Sequence, residues 1–524
     1  MVPLDWAVLA LYFILIAATG WFFSRKKQAS TDDYFLAGRR MPVWAVAISI
    51  IATSLSAASF VGVPQQSYLG NLTYLATNIG GLLAIAVVAL VFIPAFYREN
   101  VTSIYELLGN RMGPGAKTAA SAAFLVGRVF ASGSRIFIAA IPVSLILFGD
   151  SGKASPPAQL LVAVAVMTFV GVAYTLAGGL ASVIWTEVVQ TAILVGAVLV
   201  AVGVLWHKIP LNANEIIEAL KQGTATHGSK LQIFDTTLTL SKPFTLLSCI
   251  VAFTLLGLAS YGTDHDMAQR MLTCKSAWKG GQSAILAILT SIPIIFLFLV
   301  IGLLLWIFYT RPDLMRSAAP TYPLSDSRQI FLTFILREMP PGVSGIMMAG
   351  LFSVGISSLC SALNAMSAAF VKDFYFTWKP DREPAHYVKV GRVAMVAWGI
   401  VLGAFACVCV YWQGSSGASL IDFALGLMTF AYAGLLAVFI TALFTTRGNS
   451  TSAVAAIITG FFIVTLLQDR VWAVWAAKIS LNPNADGTAR TLANIAIAWP
   501  WHLCIASFIS FCVCLCGKRK TLAR

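Results

Sequence analysis

Thirteen stretches of about 20 apolar residues recur along the chain, near residues 3–24, 43–69, 72–97, 117–149, 158–177, 180–206, 243–262, 281–309, 341–371, 388–412, 418–444, 450–467 and 497–516. Each is long enough to cross a bilayer as a helix. The pattern predicts an all-α polytopic membrane protein, one transmembrane domain over residues 1–524. The first stretch is too long for a cleaved signal peptide and lacks its basic start, so it counts as a helix. The long intervals 207–242, 310–340 and 468–496 are expected to form short surface helices and gating elements.

Two of these stretches are too polar to face lipid. One carries Ser49, Thr53, Ser54, Ser56, Ser59, Gly62, Pro64, Gln65 and Ser67; the other carries Ser353, Ser357, Ser358, Ser361 and Asn364. Gly350, Ser353, Ser357, Ser361 and Asn364 share one helix face, with Ser358 flanking it. Hydroxyls and broken backbone are tolerated at that depth only against protein or a water-filled cavity, where transporters hold substrate or ions. Two such segments point to a transporter.

Composition narrows the classes. Of 524 residues, 58% are hydrophobic and 11% charged, where a soluble domain carries about a quarter charged. The net charge of +14 needs no nucleic acid, because Lys and Arg accumulate in cytoplasmic loops. Arg25-Lys26-Lys27, Arg39-Arg40, Arg270, Lys275, Lys279, Lys372, Lys379, Arg382, Lys389, Arg392 and Lys518-Arg519-Lys520 fall on one side. That places the N-terminus outside and the C-terminus in the cytoplasm. The nine cysteines read as apolar filler. The five histidines are scattered singly, so no metal cluster or enzyme site is expected. Only about eight residues follow the last stretch, too few for the signalling region of a transporter-like sensor. A passive channel remains a rival.

Four blocks then resemble the sodium/solute symporter family in the family's order. They are Asp33-Tyr-Phe-Leu-Ala-Gly-Arg39 with Ser54-Leu-Ser-Ala-Ala-Ser-Phe-Val-Gly-Val-Pro64; Gly178-Gly179 leading to Trp185-Thr-Glu187-Val-Val-Gln190; Asp266-Met-Ala-Gln-Arg-Met-Leu272; and Ser357-Ser-Leu-Cys-Ser-Ala-Leu-Asn364 with Lys372-Asp-Phe-Tyr375. The resemblance implies a leucine-transporter-type fold of 5+5 inverted repeats, about 43–206 and 243–444, with extra helices 3–24, 450–467 and 497–516. Its two broken helices would be 43–69 and 243–262. Gly62 and Pro64 in the first and Gly257 and Gly262 in the second agree with interruptions there.

The same resemblance implies a Na⁺ site made by the carbonyls of Ala52, Leu55 and Val354 and the hydroxyls of Ser357 and Ser358. Such oxygens are hard ligands that add no charge. The alternative is that small residues here only let helices pack closely. Glu187 is the one acid well inside a helix, and such a group is either functional or a hydrogen-bond hub with Gln190 and Thr191. Some family members bind a second Na⁺ with an aspartate at this position and hydroxyls at those of Cys360 and Ser361. The longer acid and the thiol here put that second cation or proton site in doubt.

By position the substrate pocket would include Ser54, Ser56, Ser59, Thr77, Asn78, Arg128, Arg135, Ser260 and Tyr261. Sugar-transporting relatives carry other residues where Ser59, Gly257, Ser260 and Tyr261 stand, which weighs against a sugar. Two arginines in one helix are costly, and one could bind a substrate carboxylate bidentately; pairing with Glu187 or snorkelling is the alternative. The expectation is a Na⁺-coupled importer of a small polar solute, leaning to an organic anion, with a neutral solute such as a sugar, amino acid or vitamin as the alternative. It would sit multi-pass in the plasma membrane, or the inner membrane of a Gram-negative cell, with a monomer sufficient for transport.

Overall fold

The computed structural model describes residues 2–24, 36–149, 155–176, 180–225, 228–315, 320, 326–416, 418–468, 471 and 497–518. Asp33, Tyr34, Phe35, Gly178, Gly179 and nearly all of the 468–496 interval lie outside them. Apart from a two-residue hairpin, Thr224–Ala225 against Gly228–Ser229, the described secondary structure is helical. Among the described residues nine helices are long and apolar enough to cross a membrane, and two bent helix pairs pass the same test together.

In chain order the helices used below are α1 (Pro3–Ser24), α2 (Val43–Ser54), α3 (Ala57–Leu69), α4 (Thr73–Arg98), α5 (Pro114–Phe148), α6 (Pro157–Thr175), α7 (Leu180–Lys208) and α8 (Leu246–Gly262). They continue with α9 (His265–Leu272), α10 (Ala277–Thr310), α11 (Val343–Phe370), α12 (Pro384–Ser416) and α13 (Leu420–Phe444). Two shorter apolar helices, α14 (Ser450–Leu466) and α15 (Trp499–Leu515), complete the set. The interval 207–242 holds the surface helix Ala213–Gln222, and 310–340 holds Pro312–Met315, Ser327–Gln329 and Ile330–Glu338.

Burial ranks the helices. The membrane windows containing α11, α13 and α5 are 89%, 83% and 78% buried, whereas those of α1 and α6 are 28% buried. The Ser- and Gly-rich α11 is therefore a central post, and the largely apolar α1 and α6 lie at the periphery. Close approach depends on small residues. A Cβ on Gly302 of α10 would meet the Pro64 carbonyl of α3 at 2.1 Å, and one on Gly80 of α4 would meet the Cys249 carbonyl of α8 at 2.3 Å.

Both expected breaks exist, the first away from Gly62 and Pro64 and the second directly after Gly262. The α2–α3 pair bends by 63° and the α8–α9 pair by 60°. The first break is at Leu55 and Ser56, both with extended backbone (ψ 130° and 177°). Gly62 and Pro64 lie inside α3. Serine side chains compensate the backbone here: Ser59 Oγ accepts the Ser56 N–H at 3.3 Å, and Ser54 Oγ donates to the Ile50 carbonyl at 2.8 Å. The second break follows Gly262, at Thr263 and Asp264, and Gly257 lies within α8. Asp264 Oδ1 accepts the Asp266 N–H at 3.0 Å and so starts α9.

Candidate functional site

The first break places the last carbonyls of α2 beside the middle of α11. Thr53 Oγ1 of α2 lies 3.4 Å from Ser361 Oγ of α11. Ala52, Leu55, Val354, Ser357 and Ser358 are all buried, as ligands to a dehydrated ion must be. Leu55 N–H still bonds to the Ile51 carbonyl, so the carbonyls left without helical partners are those at the C-terminal end of α2. That end also carries the negative pole of the helix dipole.

A cationic group already stands against these oxygens. Arg135 of α5 donates from Nη1 to the Thr53 carbonyl (3.3 Å) and to Ser358 Oγ (3.4 Å), and from Nη2 to Met428 Sδ (3.8 Å). All three bonds are long and go to neutral acceptors. Among the described residues Arg135 has no carboxylate within ion-pairing distance. It is half-buried. Ser54 Oγ and Tyr261 Oη meet nearby at 3.2 Å, with Tyr261 in electrostatic reach of Arg135.

Arg128, seven residues earlier on α5, has a different environment. Its Nη2 sits 2.6 Å from Asp264 Oδ1 and 2.9 Å from Asp266 Oδ2, and Tyr432 O–H donates to Asp264 Oδ2 at 2.6 Å. This guanidinium neither pairs with Glu187 nor snorkels. It is fixed through Nη2 to the break between α8 and α9, where two carboxylates already stand against it. This expected pocket residue therefore lies at the α8–α9 break. The other expected pocket residues divide similarly. Ser56 is buried and Ser59 bonds to it, Thr77 Oγ1 and Asn78 Nδ2 donate to their own helix at Tyr74 and Leu75, and Ser260 is half-buried. Ser54, Tyr261, Arg135 and Ser358 are the ones brought together.

Glu187 of α7 is fully buried, and of the residues expected around it Ser361 bonds to its carboxylate while Gln190, Thr191 and Cys360 do not. Its carboxylate forms a bidentate pair with Arg270 of α9 (Nη1–Oε2 2.8 Å, Nη2–Oε1 3.0 Å). Oε1 also accepts from Ser361 (2.8 Å) and Ser357 (3.3 Å), and Oε2 accepts from Ser49. Arg270 in turn donates to Ser49 and Ser361 and lies 3.6 Å from Asp266. Gln190 and Thr191 take no part. Cys360 faces the Gly171 carbonyl at 3.9 Å, outside the Glu187 cluster.

Sequence reasoning assigned Arg270 to a basic loop and missed its role. The available signal was Asp266 and Arg270 at i, i+4 directly after Gly262, a charged helix turn beginning where a hydrophobic one stops.

Comparisons with known proteins place the chain in one family. The model of the sodium:solute symporter family matches residues 34–460. A sodium/sialic acid symporter of Proteus mirabilis is 30% identical over 471 residues, covering 88% of both chains. The sodium/iodide cotransporter of Homo sapiens is 27% identical over 94% of this chain and 72% of its own. The sodium/glucose cotransporter of Vibrio parahaemolyticus is 26% identical over 87% and 83%. Among solved structures, a substrate-bound, outward-open Na⁺-coupled sialic acid symporter superposes with a TM-score of 0.77 at 24% identity, over 99% of this chain and all of the other.

Proposed function

Since this chain belongs to the sodium:solute symporter family and is a Na⁺-coupled membrane symporter rather than an enzyme, we propose that its substrate is a small organic anion held through its carboxylate by Arg135. The observation that carries this reading is the half-buried guanidinium of Arg135, set against the α2–α11 oxygens with only long bonds to neutral acceptors. A substrate carboxylate would replace those with short, charge-assisted ones. Acidic sugars such as the one named for the Proteus mirabilis relative satisfy both the carboxylate and the hydroxyl-rich surroundings of Ser54, Ser56, Ser59 and Tyr261. Neutral solutes, transported by other relatives such as the glucose cotransporter, are the second reading.

Na⁺ would take the carbonyls of Ala52, Leu55 and Val354 and the hydroxyls of Ser357 and Ser358. Ser358 then has two cationic claimants, Na⁺ and Arg135. Two cations this close repel strongly where water is excluded, so each binds poorly unless an anion lies against Arg135. Substrate drawing the guanidinium from Ser358 frees a ligand for Na⁺, and Na⁺ leaves the guanidinium free for substrate. The coupling is reciprocal. The broken α2–α3 helix joins the two sites, so ordering by one ligand assists the other. Import would proceed by alternating access across the plasma membrane, with the N-terminus outside.

The test is a thermal-shift screen of the purified protein in Na⁺ or K⁺ against carboxylates, acidic sugars, neutral sugars and amino acids. A ligand of the native state at 100 times its Kd stabilises by about 2.7 kcal/mol. The expected result is a shift with carboxylates that needs Na⁺. A Na⁺-dependent shift confined to neutral solutes would overturn the reading.

A further inference from the structure

Six charged side chains meet in the middle of the bundle, beside the buried His265: Arg128, Arg135, Glu187, Asp264, Asp266 and Arg270. All but Arg135 are at most 2% exposed. Their formal charges, three positive and three negative, cancel. The remaining buried acids of the helices sit at element ends with local partners. Asp5 caps the start of α11 through Gly342, Ser344 and Gly345. Asp373 faces Lys117 at 3.3 Å, and Asp422 accepts from Ser419 and Trp499. The transport core without cargo is thus neutral.

Within that core, Glu187 with the hydroxyls of Ser49, Ser357 and Ser361 forms an oxygen cage of the type a dehydrated Na⁺ takes, hard and singly negative. The cage is filled by the Arg270 guanidinium, which contacts the carboxylate and two of the three hydroxyls. We propose that Arg270 is a built-in cation standing in place of a second Na⁺, so that the protein moves one Na⁺ with one monoanion and no net charge. The proposal rests on the anionic-substrate reading for its electroneutrality, and on geometry alone for the role of Arg270. An unpaired charge in a membrane interior costs several kcal/mol. A core of zero net charge when empty, and of zero net charge again with one Na⁺ and one carboxylate, carries no net charge across the membrane on either leg of the cycle.

The test uses the full-length protein in proteoliposomes, with the carboxylate identified by the thermal-shift screen. For the wild type we expect a Na⁺ Hill coefficient near one, and an uptake rate unchanged by an inside-negative K⁺ diffusion potential set with valinomycin. A Hill coefficient near two with potential-driven uptake overturns the proposal. A coefficient near one with potential-driven uptake overturns electroneutrality while leaving Arg270 as the second cation, whereas the anionic reading itself fails only in the thermal-shift screen. Arg270→Gln is expected to raise the coefficient towards two and make uptake potential-sensitive, because Glu187 then needs another cation. Glu187→Gln combined with Arg270→Gln removes both charges, keeps the protein folded if the single variant does not fold, and should return the coefficient to one. A folded Arg270→Gln that behaves as wild type overturns the role given to Arg270.

Discussion

Replacing Arg135 separates binding from folding more cleanly than any other change in this molecule. Its three bonds, at 3.3, 3.4 and 3.8 Å, lie at or beyond the weak end of hydrogen bonding. Their loss should lower stability by less than about 1 kcal/mol. A bidentate bond to a substrate carboxylate is a different quantity, worth roughly 1.5–3 kcal/mol, or about 10- to 150-fold in Kd. Arg135→Lys keeps the charge but loses the planar fork, so its effect should fall at the lower end. Arg135→Gln loses both and should reach the upper end. Neither should weaken Na⁺ measured without substrate, since each removes or reshapes a competitor for Ser358. The assay is isothermal titration of the carboxylate at saturating Na⁺, beside Na⁺ titration without substrate and a melting curve. Equal losses for both ligands, or a stability loss of several kcal/mol, would refute the argument.

Ser357→Ala and Ser358→Ala should fold normally yet lose Na⁺ activation of uptake, measured as rate against external Na⁺; unchanged activation in both would remove these hydroxyls from the site. Arg128→Met leaves Asp264 buried without a cation and Asp266 with only Arg270, 3.6 Å away, and should destabilise by about 3–5 kcal/mol, seen as a large fall in melting temperature in detergent. Gly302→Ala puts a methyl onto the Pro64 carbonyl and Ser67 Oγ, both 2.1 Å from the added carbon. It should force α10 from α3 and destabilise by about 1–3 kcal/mol or more; an unchanged melting curve would contradict that packing. Lys230, outside the spans, donates to the Tyr68 and Gly70 carbonyls at 2.6 and 2.9 Å, and burial lowers its ammonium from 10.5 to about 8. The unfolded chain therefore binds the extra proton between about pH 8 and 10.5, and stability gains a rising contribution as pH increases through that window. Lys230→Met should lack that contribution, so the wild-type minus variant melting temperature should rise between these values; a flat difference would show that the ammonium is not desolvated.

Membrane spans were legible because bilayer thickness imposes one length on every apolar run, and α5, α7, α10, α11, α12 and α13 lie within a few residues of the runs that predict them. The polar stripe on α11 was legible for the same reason in reverse: Ser353, Ser357 and Ser361 stand out against lipid-compatible neighbours. The second helix break lies directly after Gly262, as the glycine suggests, but the first is set by residues other than Gly62 and Pro64. Gly62 and Pro64 are tolerated inside α3 because neighbouring helices accommodate the freed backbone, while Ser54, Ser56 and Ser59 bond to backbone groups at the actual break. The ion pairs were illegible since they join residues far apart in sequence. Arg270 meets Glu187 across 83 positions and Arg128 meets Asp264 across 136. Counted along the chain, Arg270 looks like one more basic residue at a helix end; only the fold carries α9 under α7 and α11.

The central claim is that a Na⁺ gradient drives a carboxylate-bearing solute through this protein. Its most direct measurement is uptake of a radiolabelled carboxylate into proteoliposomes with equal substrate on both sides and Na⁺ only outside. The account predicts a transient rise of internal substrate above the external concentration, absent when K⁺ replaces Na⁺ and absent in Ser358→Ala. Internal substrate that never exceeds the external concentration, whatever the cation, would identify a passive pathway and contradict the account.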